Sequence, residues 1–171
     1  MVQDTILPEA LRGVALGDVA IEIGPGPGFT TDVLRTTTAR LTAVEIDEGL
    51  AATLAERLAG GNVDVVVGDA TSLDYGPDTF TGAASFHMLH HIAPDSAHDR
   101  VFAELARVLV PGSVLVAADG TYNEGTAAFH EGDTYNPIDP DDLAGRLGRA
   151  GFEDVEVRFY DLGWVCTARA S

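Results

Sequence analysis

Short apolar runs alternate with longer amphipathic stretches along most of the chain. The runs are rich in Val, Ile, Ala and Phe, and turn residues border them, which is typical of buried strands. Strands that alternate with helical patterns favour a parallel sheet covered by helices, and therefore an α/β fold. The five strands predicted in this way are Val19–Ile23, Arg40–Glu45, Val63–Val67, Phe80–Phe86 and residues 113–118.

The stretches between these runs predict helices. Residues 48–59 carry Leu50, Leu54 and Leu58 at the spacing of one buried helix face. The predicted helices are residues 5–16, 29–38, 48–59, 96–109 and 140–150, the last capped by Asp139 and ended by Gly151. Residues 119–138 follow no period, so we expect an irregular segment there of the kind that often covers a binding site.

The end of the chain follows a different pattern. Residues 155–160 and 164–168 predict two strands joined by only three residues, which is too short for a crossover and requires an antiparallel hairpin. A dehydrogenase-type sheet more often closes with a parallel sixth strand. The pattern therefore predicts a seven-strand sheet that is parallel except at its closing hairpin.

Composition narrows the classes of function. The 171 residues suit a single domain over residues 1–171. The net charge is −17 and the chain contains arginine but no lysine, which excludes a Schiff-base lysine and a P-loop lysine. Because so acidic a surface repels polyanions and anionic membranes, we expect neither nucleic acid nor membrane as a partner. The oligomeric state stays open, with a homodimer among the options.

Cysteine usage and the N-terminal sequence indicate a compartment. Cys166 is the single cysteine, and it lies in the last apolar strand pattern, where we expect it to be buried and inert. Residues at the N-terminus show no basic segment followed by an apolar one, and no apolar run reaches about 18 residues. We therefore expect a cytoplasmic location.

The strongest chemical signal is the turn in Val19-Ala-Ile-Glu-Ile-Gly-Pro-Gly-Pro-Gly28. A strand leads through glycines into a helix, which is the architecture of a nucleotide-like cofactor site. The spacing is G-x-G-x-G, and Phe29 occupies the place of the third glycine in a dinucleotide fingerprint. Glu22 at the strand end suits a cofactor that carries an ammonium and a sulfonium rather than a pyrophosphate.

Two carboxylates follow at the ends of the next strands. Glu45 lies 21 residues after Gly24, where an acidic residue can accept both ribose hydroxyls. Asp47 is the alternative, although it can instead cap the helix that begins at Glu48. After the third strand, Asp69 can accept the exocyclic amine of an adenine.

Together these residues resemble the class I S-adenosylmethionine-dependent methyltransferase family, as does Leu109-Val-Pro-Gly-Ser113, which is similar to its Leu-x-Pro-Gly-Gly turn. The resemblance implies a Rossmann-like three-layer α/β/α sandwich of strand order 3-2-1-4-5-7-6, with strand 7 antiparallel. It also implies S-adenosylmethionine as the cofactor. The implied cofactor-binding residues are Glu22, Gly24, Pro25, Gly26 and Gly28 at the methionine end, Glu45 and Ile46 at the ribose, Asp69 and Ala70 at the adenine, and Phe86.

The acceptor is less defined. Glu22-Ile-Gly-Pro-Gly26 and Val44-Glu-Ile-Asp47 resemble the rRNA adenine dimethyltransferases, but Ser85-Phe-His-Met88 replaces the Asn-Leu-Pro-Tyr type motif of those enzymes. The run Leu89-His-His91 looks more like small-molecule methyltransferases. We therefore expect a small-molecule acceptor, with two alternatives: a protein or RNA acceptor, or a non-catalytic cofactor-binding protein.

Histidines after the fourth strand are the candidates for acid–base chemistry. Methyl transfer needs no nucleophilic side chain, but a hydroxyl acceptor benefits from a general base. His87 is the first choice for a general base because it lies nearest the strand end. His90 and His91 can instead cap the following helix or form hydrogen bonds with the backbone. We expect His98 at the surface and Trp164 in the core, and we predict no metal ligands. His130, Tyr122 and Tyr135 in the irregular segment are further candidates for the substrate side.

Overall fold

The fold is taken from a computed structural model that describes residues 7–161 and 163–171. The strands are β1 (Val19–Ile23), β2 (Arg40–Glu45), β3 (Val63–Val67), β4 (Phe80–Phe86), β5 (Leu109–Gly120), β6 (Phe152–Tyr160) and β7 (Gly163–Ala170). The helices are α1 (Leu7–Ala10), α2 (Thr31–Leu34), α3 (Glu48–Arg57), α4 (Asp95–Val108), α5 (Glu124–Phe129) and α6 (Pro140–Ala150), and a 3₁₀ turn spans Leu89–His91.

The seven strands form one sheet in the order β3-β2-β1-β4-β5-β7-β6. The four pairings among β1 to β5 are parallel, and β7 runs antiparallel to both β5 and β6. The expected strand order and the closing hairpin are therefore confirmed. In such a sheet β1 and β4 leave a crevice at their carboxyl ends, because the connections diverge to opposite sides from that point.

Two apolar clusters, one on each face of the sheet, make the three layers. Alternate residues of a strand point to opposite faces, so Ala20 and Ile21 belong to different clusters. One cluster takes in the apolar side of α1 and α2, including Leu7 and Leu34. The other takes in α4 and α6, including Phe102 and Leu143, and Trp164 of β7, which is fully buried as expected.

Two predicted helices are shorter than expected. The helix predicted over 29–38 is reduced to α2, because the hydroxyls of Thr36 and Thr37 donate to the carbonyls of Val33 and Leu34 and compete with further helical bonds. The lead-in helix predicted over 5–16 is reduced to α1, and Gly13 with φ of +75° follows it. Residues 5 and 6 of that prediction lie outside the described residues.

The later part of the chain is more regular than predicted. Strand β5 begins at Leu109 rather than 113 and absorbs the Pro111-Gly112 turn as an irregularity, since Leu109 pairs with Phe80 while Val114 pairs with Gly82. The segment predicted to be irregular contains α5, whose first turn is capped by Asn123. The Asn123 side-chain oxygen accepts from the Thr126 N–H at 2.8 Å.

The predicted exposure of His98 is wrong, whereas the predicted burial of Cys166 is confirmed. His98 is fully buried rather than exposed, and its Nε2 donates to the Leu89 carbonyl at 2.8 Å. Cys166 is also fully buried, and burial raises the pKa of its thiol to about 12, which keeps it protonated and unreactive. Among the described residues, no helix is both long and apolar enough to cross a membrane.

The predicted cap of α6 gives a test of local stability. The Asp139 carboxylate accepts from the Asp141 N–H at 3.0 Å, and Gly151 ends the helix with φ of +105°. Asp139→Ala removes that bond, so we expect the free energy of unfolding to fall by about 1 kcal/mol in denaturant titrations. Asp142→Ala, an exposed first-turn change without a cap bond, should shift it by only ~0.5 kcal/mol. Equal effects of the two variants would contradict the capping role.

Candidate functional site

A cavity of about 880 Å³ opens at the carboxyl ends of β1, β2 and β4, in the crevice that the strand order creates. Its walls come from the glycine turn after β1, the ends of β2 and β3, and the segment after β4. The lining residues from the predicted set are Gly24, Pro25, Gly26, Glu45, Ile46, Asp69, Ala70, Phe86 and His87. Glu22 in β1 and Gly28 in the turn do not line the cavity.

Glycine is required at Gly24 and Gly28 for packing reasons. Gly24 has φ of +65°, and a Cβ there would lie 2.0 Å from Cγ of Met88. A Cβ on Gly28 would lie 2.4 Å from Cδ1 of Leu54, so this glycine lets α3 approach the turn. A Cβ on Gly26 would meet nothing within 4 Å, which leaves the Gly26 backbone accessible from the cavity. The turn therefore combines two tight contacts with one open backbone position.

Glu45 joins the end of β2 to the glycine turn. Its Oε2 accepts from the Gly26 N–H at 2.9 Å, and its Oε1 accepts from the Asp47 N–H at 3.1 Å. These bonds fix a largely buried carboxylate in the cavity wall, and each oxygen keeps a further lone pair for a ligand. Asp47 takes the capping role, because its Oδ1 accepts from the Leu50 N–H at 2.8 Å.

Glu22 is held behind the cavity wall rather than in it. Its carboxylate accepts from the hydroxyl of Thr30, and from that of Thr31 at 2.7 Å. Thr30 lines the cavity, so Glu22 positions this threonine and the start of α2. Burial raises the pKa of Glu22 to about 7, although the two hydroxyl bonds oppose the shift.

This shift predicts a pH-dependent stability. Below the ordinary pKa of 4.5, Glu22 is protonated in both the folded and the unfolded chain, and its stabilising contribution is fully present. As the pH rises through 7 that contribution is lost, because the unfolded chain ionises more readily; the full change is roughly 3 kcal/mol. We expect denaturant titrations between about pH 5 and pH 8 to show this fall, relative to Glu22→Gln. If the free energy of unfolding changed with pH equally in the wild type and in Glu22→Gln, the proposed contribution of Glu22 would be contradicted.

The adenine-side residues form the third wall. Asp69 Oδ1 accepts from both the N–H and the hydroxyl of Thr71, each at 2.8 Å, which fixes its carboxylate at the turn after β3. Ala70 is half-buried beside it. Ile46 is 70% exposed and lines the cavity with exposed Phe29. Exposed apolar side chains inside a cavity provide a surface for a flat ring.

The segment after β4 supplies histidines. His87 lines the cavity with φ of +51°, and its N–H donates to the Ala118 carbonyl at 2.8 Å. Its Nε2 is buried and finds no hydrogen-bond partner within the described part of the chain. Burial lowers the pKa of His87, which keeps the imidazole neutral near pH 7.

Sequence reasoning missed a buried carboxylate beside these histidines. Asp119, fully buried near the end of β5, accepts from His90 Nδ1 at 2.6 Å, from the His90 N–H at 3.0 Å and from the Gly120 N–H at 2.7 Å. No local pattern distinguishes it, because its partner lies on another strand connection. Arg100 on α4, which also lines the cavity, was missed for the same reason.

Residues 119–138 lie beside the cavity, and the aromatic and histidine candidates of this segment are not the residues that line it. The rings of His130 and Tyr135 stack with centroids 4.8 Å apart, and Tyr122 lies 6.0 Å from Tyr135. None of these three residues lines the cavity, whereas Asp133 and Thr134 do. The structure therefore brings the segment to the site through different residues from those predicted.

Comparison with known proteins agrees with this fold. Residues 21–117 match the family model described as "Methyltransferase domain". The solved phosphoethanolamine N-methyltransferase 2 of Haemonchus contortus, in complex with S-adenosyl-L-methionine, superposes with a TM-score of 0.81 at 16% identity, over 98% of this chain and 52% of that one. A methyltransferase of Mesorhizobium loti superposes with a TM-score of 0.80 at 16% identity, over 98% and 99% of the two chains.

Among curated sequences, the Ribosomal RNA small subunit methyltransferase A of Deinococcus radiodurans is 49% identical over 63 residues, 37% of this chain and 22% of the relative. The protein of the same name from Bordetella petrii is 30% identical over 139 residues, 73% of this chain and 51% of the relative. This chain thus spans about half or less of the length of these relatives.

The fold and the family match identify a Rossmann-like methyltransferase domain. The chain belongs to the methyltransferase domain family, whose model matches more than half of it. The phosphoethanolamine N-methyltransferase that shares its fold holds S-adenosyl-L-methionine. The expectation that nucleic acid is not a partner is contradicted by the relatives, which are named for ribosomal RNA. The net charge misled here because it averages over the whole surface and does not describe the part that meets an acceptor.

Proposed function

We propose that this chain transfers the methyl group of S-adenosylmethionine to a small-molecule acceptor. The observation that carries the proposal is that one cavity reaches from the glycine turn and Glu45 to His87 and His91. Its volume of about 880 Å³ lies in the upper range of ligand pockets. It therefore offers room for a cofactor and a small acceptor side by side.

The polar groups in the cavity wall indicate which end of the cavity holds the cofactor. The backbone of residues 24–26 meets the methionine end, and the remaining lone pairs of Glu45 accept the ribose hydroxyls. Asp69 and Ala70 meet the adenine edge, while Ile46 and Phe86 contact the apolar faces. Glu22 contributes by positioning Thr30, which lies in the wall.

The residues present fit this cofactor because carboxylates and open backbone groups face the cavity where a ribose and an amino acid require them. When bound, S-adenosylmethionine supplies a methyl group on a sulfonium, a good leaving group. The chain holds the acceptor in line with that methyl and excludes water, and alignment of this kind contributes roughly 7–11 kcal/mol. Met88 and Ile92 form the apolar part of the acceptor end.

His87 is the proposed general base for a hydroxyl or ammonium acceptor. Its imidazole is neutral near pH 7, and Nε2 is not committed to another group among the described residues. We expect His87→Gln to lower kcat by about 100-fold or more while the affinity for S-adenosylmethionine stays within about threefold. The pH profile of the wild-type kcat should rise and level off below pH 6.5, because the pKa of His87 is lowered. An unchanged kcat in the variant would contradict this role.

Ribosomal RNA is the second candidate acceptor, and the named relatives favour it. The experiment that separates the two uses S-adenosylmethionine labelled in the methyl group. The protein is offered a small-molecule extract and, separately, unmethylated small-subunit RNA. Label in the extract alone supports the proposal, label in the RNA establishes the second candidate, and label in neither, with cofactor bound, indicates a non-catalytic protein.

A further inference from the structure

Three histidine rings meet beside the cofactor cavity. One ring nitrogen each from His90, His91 and His130 lies within 4.8 Å of the others. The ring centroids are 4.2 Å apart for His90 and His91, and His130 lies 5.2 Å from each. His90 and His91 end the 3₁₀ turn after β4, whereas His130 follows α5, so two distant segments converge here.

Two of the three rings have a fixed orientation. His130 Nδ1 lies 2.8 Å from the Thr126 carbonyl, which only accepts, so this nitrogen carries the proton. His90 Nδ1 lies 2.6 Å from Asp119 Oδ1, and the carboxylate accepts there in the same way. In both rings Nε2 is then the unprotonated nitrogen, which is the one that can bind a metal ion. Metal-bound histidines show this arrangement, in which Nδ1–H donates to a carboxylate or a carbonyl.

The surrounding charge favours a cation. Asp119 is fully buried, and the donors it has in the structure are two backbone N–H groups and His90. Asp133 Oδ2 lies 3.7 Å from His91 Nδ1. No arginine forms an ion pair with either carboxylate within the described part of the chain. Two carboxylates next to three imidazoles therefore leave a local excess of negative charge.

We propose that His90, His91 and His130 bind one divalent transition-metal ion of the zinc type. Imidazole suits Zn²⁺, and a tetrahedral site with three protein ligands leaves one position open. Zinc–nitrogen distances of about 2.0–2.1 Å place ligand nitrogens roughly 3.3 Å apart, so the rings move together by a small amount on binding. His91 also lines the cofactor cavity, which places the ion at the edge of the acceptor space.

The test measures zinc binding by the intact chain and does not depend on methyl transfer. Protein freed of metal with a chelator is titrated with Zn²⁺ by calorimetry, and with Co²⁺ to record the absorption bands of a tetrahedral site. We expect one ion per chain. His91→Ala, at a side chain that is 44% exposed, should weaken binding at least ~100-fold without unfolding the protein.

His130→Ala gives a second ligand test, and His87→Gln is the matched control. His87 lies in the same cavity but outside the cluster, so its variant should bind Zn²⁺ as the wild type does. Zinc binding that persists equally in His91→Ala and His130→Ala would assign the ion to surface carboxylates and overturn the proposal. Absence of zinc binding in the wild type would overturn it as well.

Discussion

Replacing Glu45 by alanine is expected to weaken binding of S-adenosylmethionine by roughly 100-fold, which corresponds to about 3 kcal/mol. The side chain is 6% exposed and bonds the N–H groups of Gly26 and Asp47. The variant thus loses the proposed ribose acceptor and also the bonds that hold the glycine turn against β2. Glu45→Gln, which keeps the shape but not the charge, should lose about tenfold. Calorimetric titration of each variant with the cofactor measures these effects.

Asp47→Ala is the matched control, because Asp47 lines the same cavity two residues away. Its carboxylate caps α3 through the Leu50 N–H. We expect this variant to lose about 1 kcal/mol of stability and to bind the cofactor within about threefold of the wild type. If Asp47→Ala lost the larger part of the affinity and Glu45→Ala kept it, the assignment of the ribose ligand would be reversed.

Replacing Asp119 by alanine is expected to lower the free energy of unfolding by about 3–5 kcal/mol. The substitution leaves two buried donors on His90 and one part-buried donor on Gly120 without their acceptor. A buried donor left without an acceptor destabilises the folded protein by the full free energy of removing that donor from water. Asp119→Asn, which keeps one acceptor oxygen, should lose about half as much. Urea titrations with a common m-value give both numbers.

Asp99→Ala provides the comparison for Asp119. Asp99 also accepts a bond at 2.8 Å, from Arg146, but its side chain is 52% exposed. We therefore expect a loss below ~1 kcal/mol, as for other surface ion pairs. A similar small loss for Asp119→Ala would mean that the network around His90 does not hold the segment after β4 in place.

The strands and the closing hairpin were predictable because each strand of this sheet has a local signature, whereas the strand order followed from the resemblance to the methyltransferase family. Apolar runs separated by helical patterns gave parallel strands, and a three-residue connection between 160 and 164 left no option but a hairpin. The same holds for Asp139 and Asp47, because a cap interacts within its own helix turn. Features fixed by neighbours in the chain are visible in the sequence.

Features fixed by distant neighbours were not visible. His98 looked like a surface residue of an amphipathic helix, and its burial depends on the Leu89 carbonyl across a loop. Glu22 lies where a cofactor ligand was expected, yet the hydroxyls of Thr30 and Thr31 turn its carboxylate away from the cavity wall. The pairing of His90 with Asp119 and the approach of His130 likewise depend on the sheet order and on α5.

We propose that S-adenosylmethionine binds in the cavity at the carboxyl ends of β1 and β2. Equilibrium titration of the wild-type chain with S-adenosylhomocysteine, in parallel with NAD, tests it most directly. We expect one molecule of S-adenosylhomocysteine to bind per chain with a Kd below about 100 μM, a large loss of that affinity in Glu45→Ala, and no binding of NAD. Absence of S-adenosylhomocysteine binding, or binding that Glu45→Ala leaves unchanged, would contradict it.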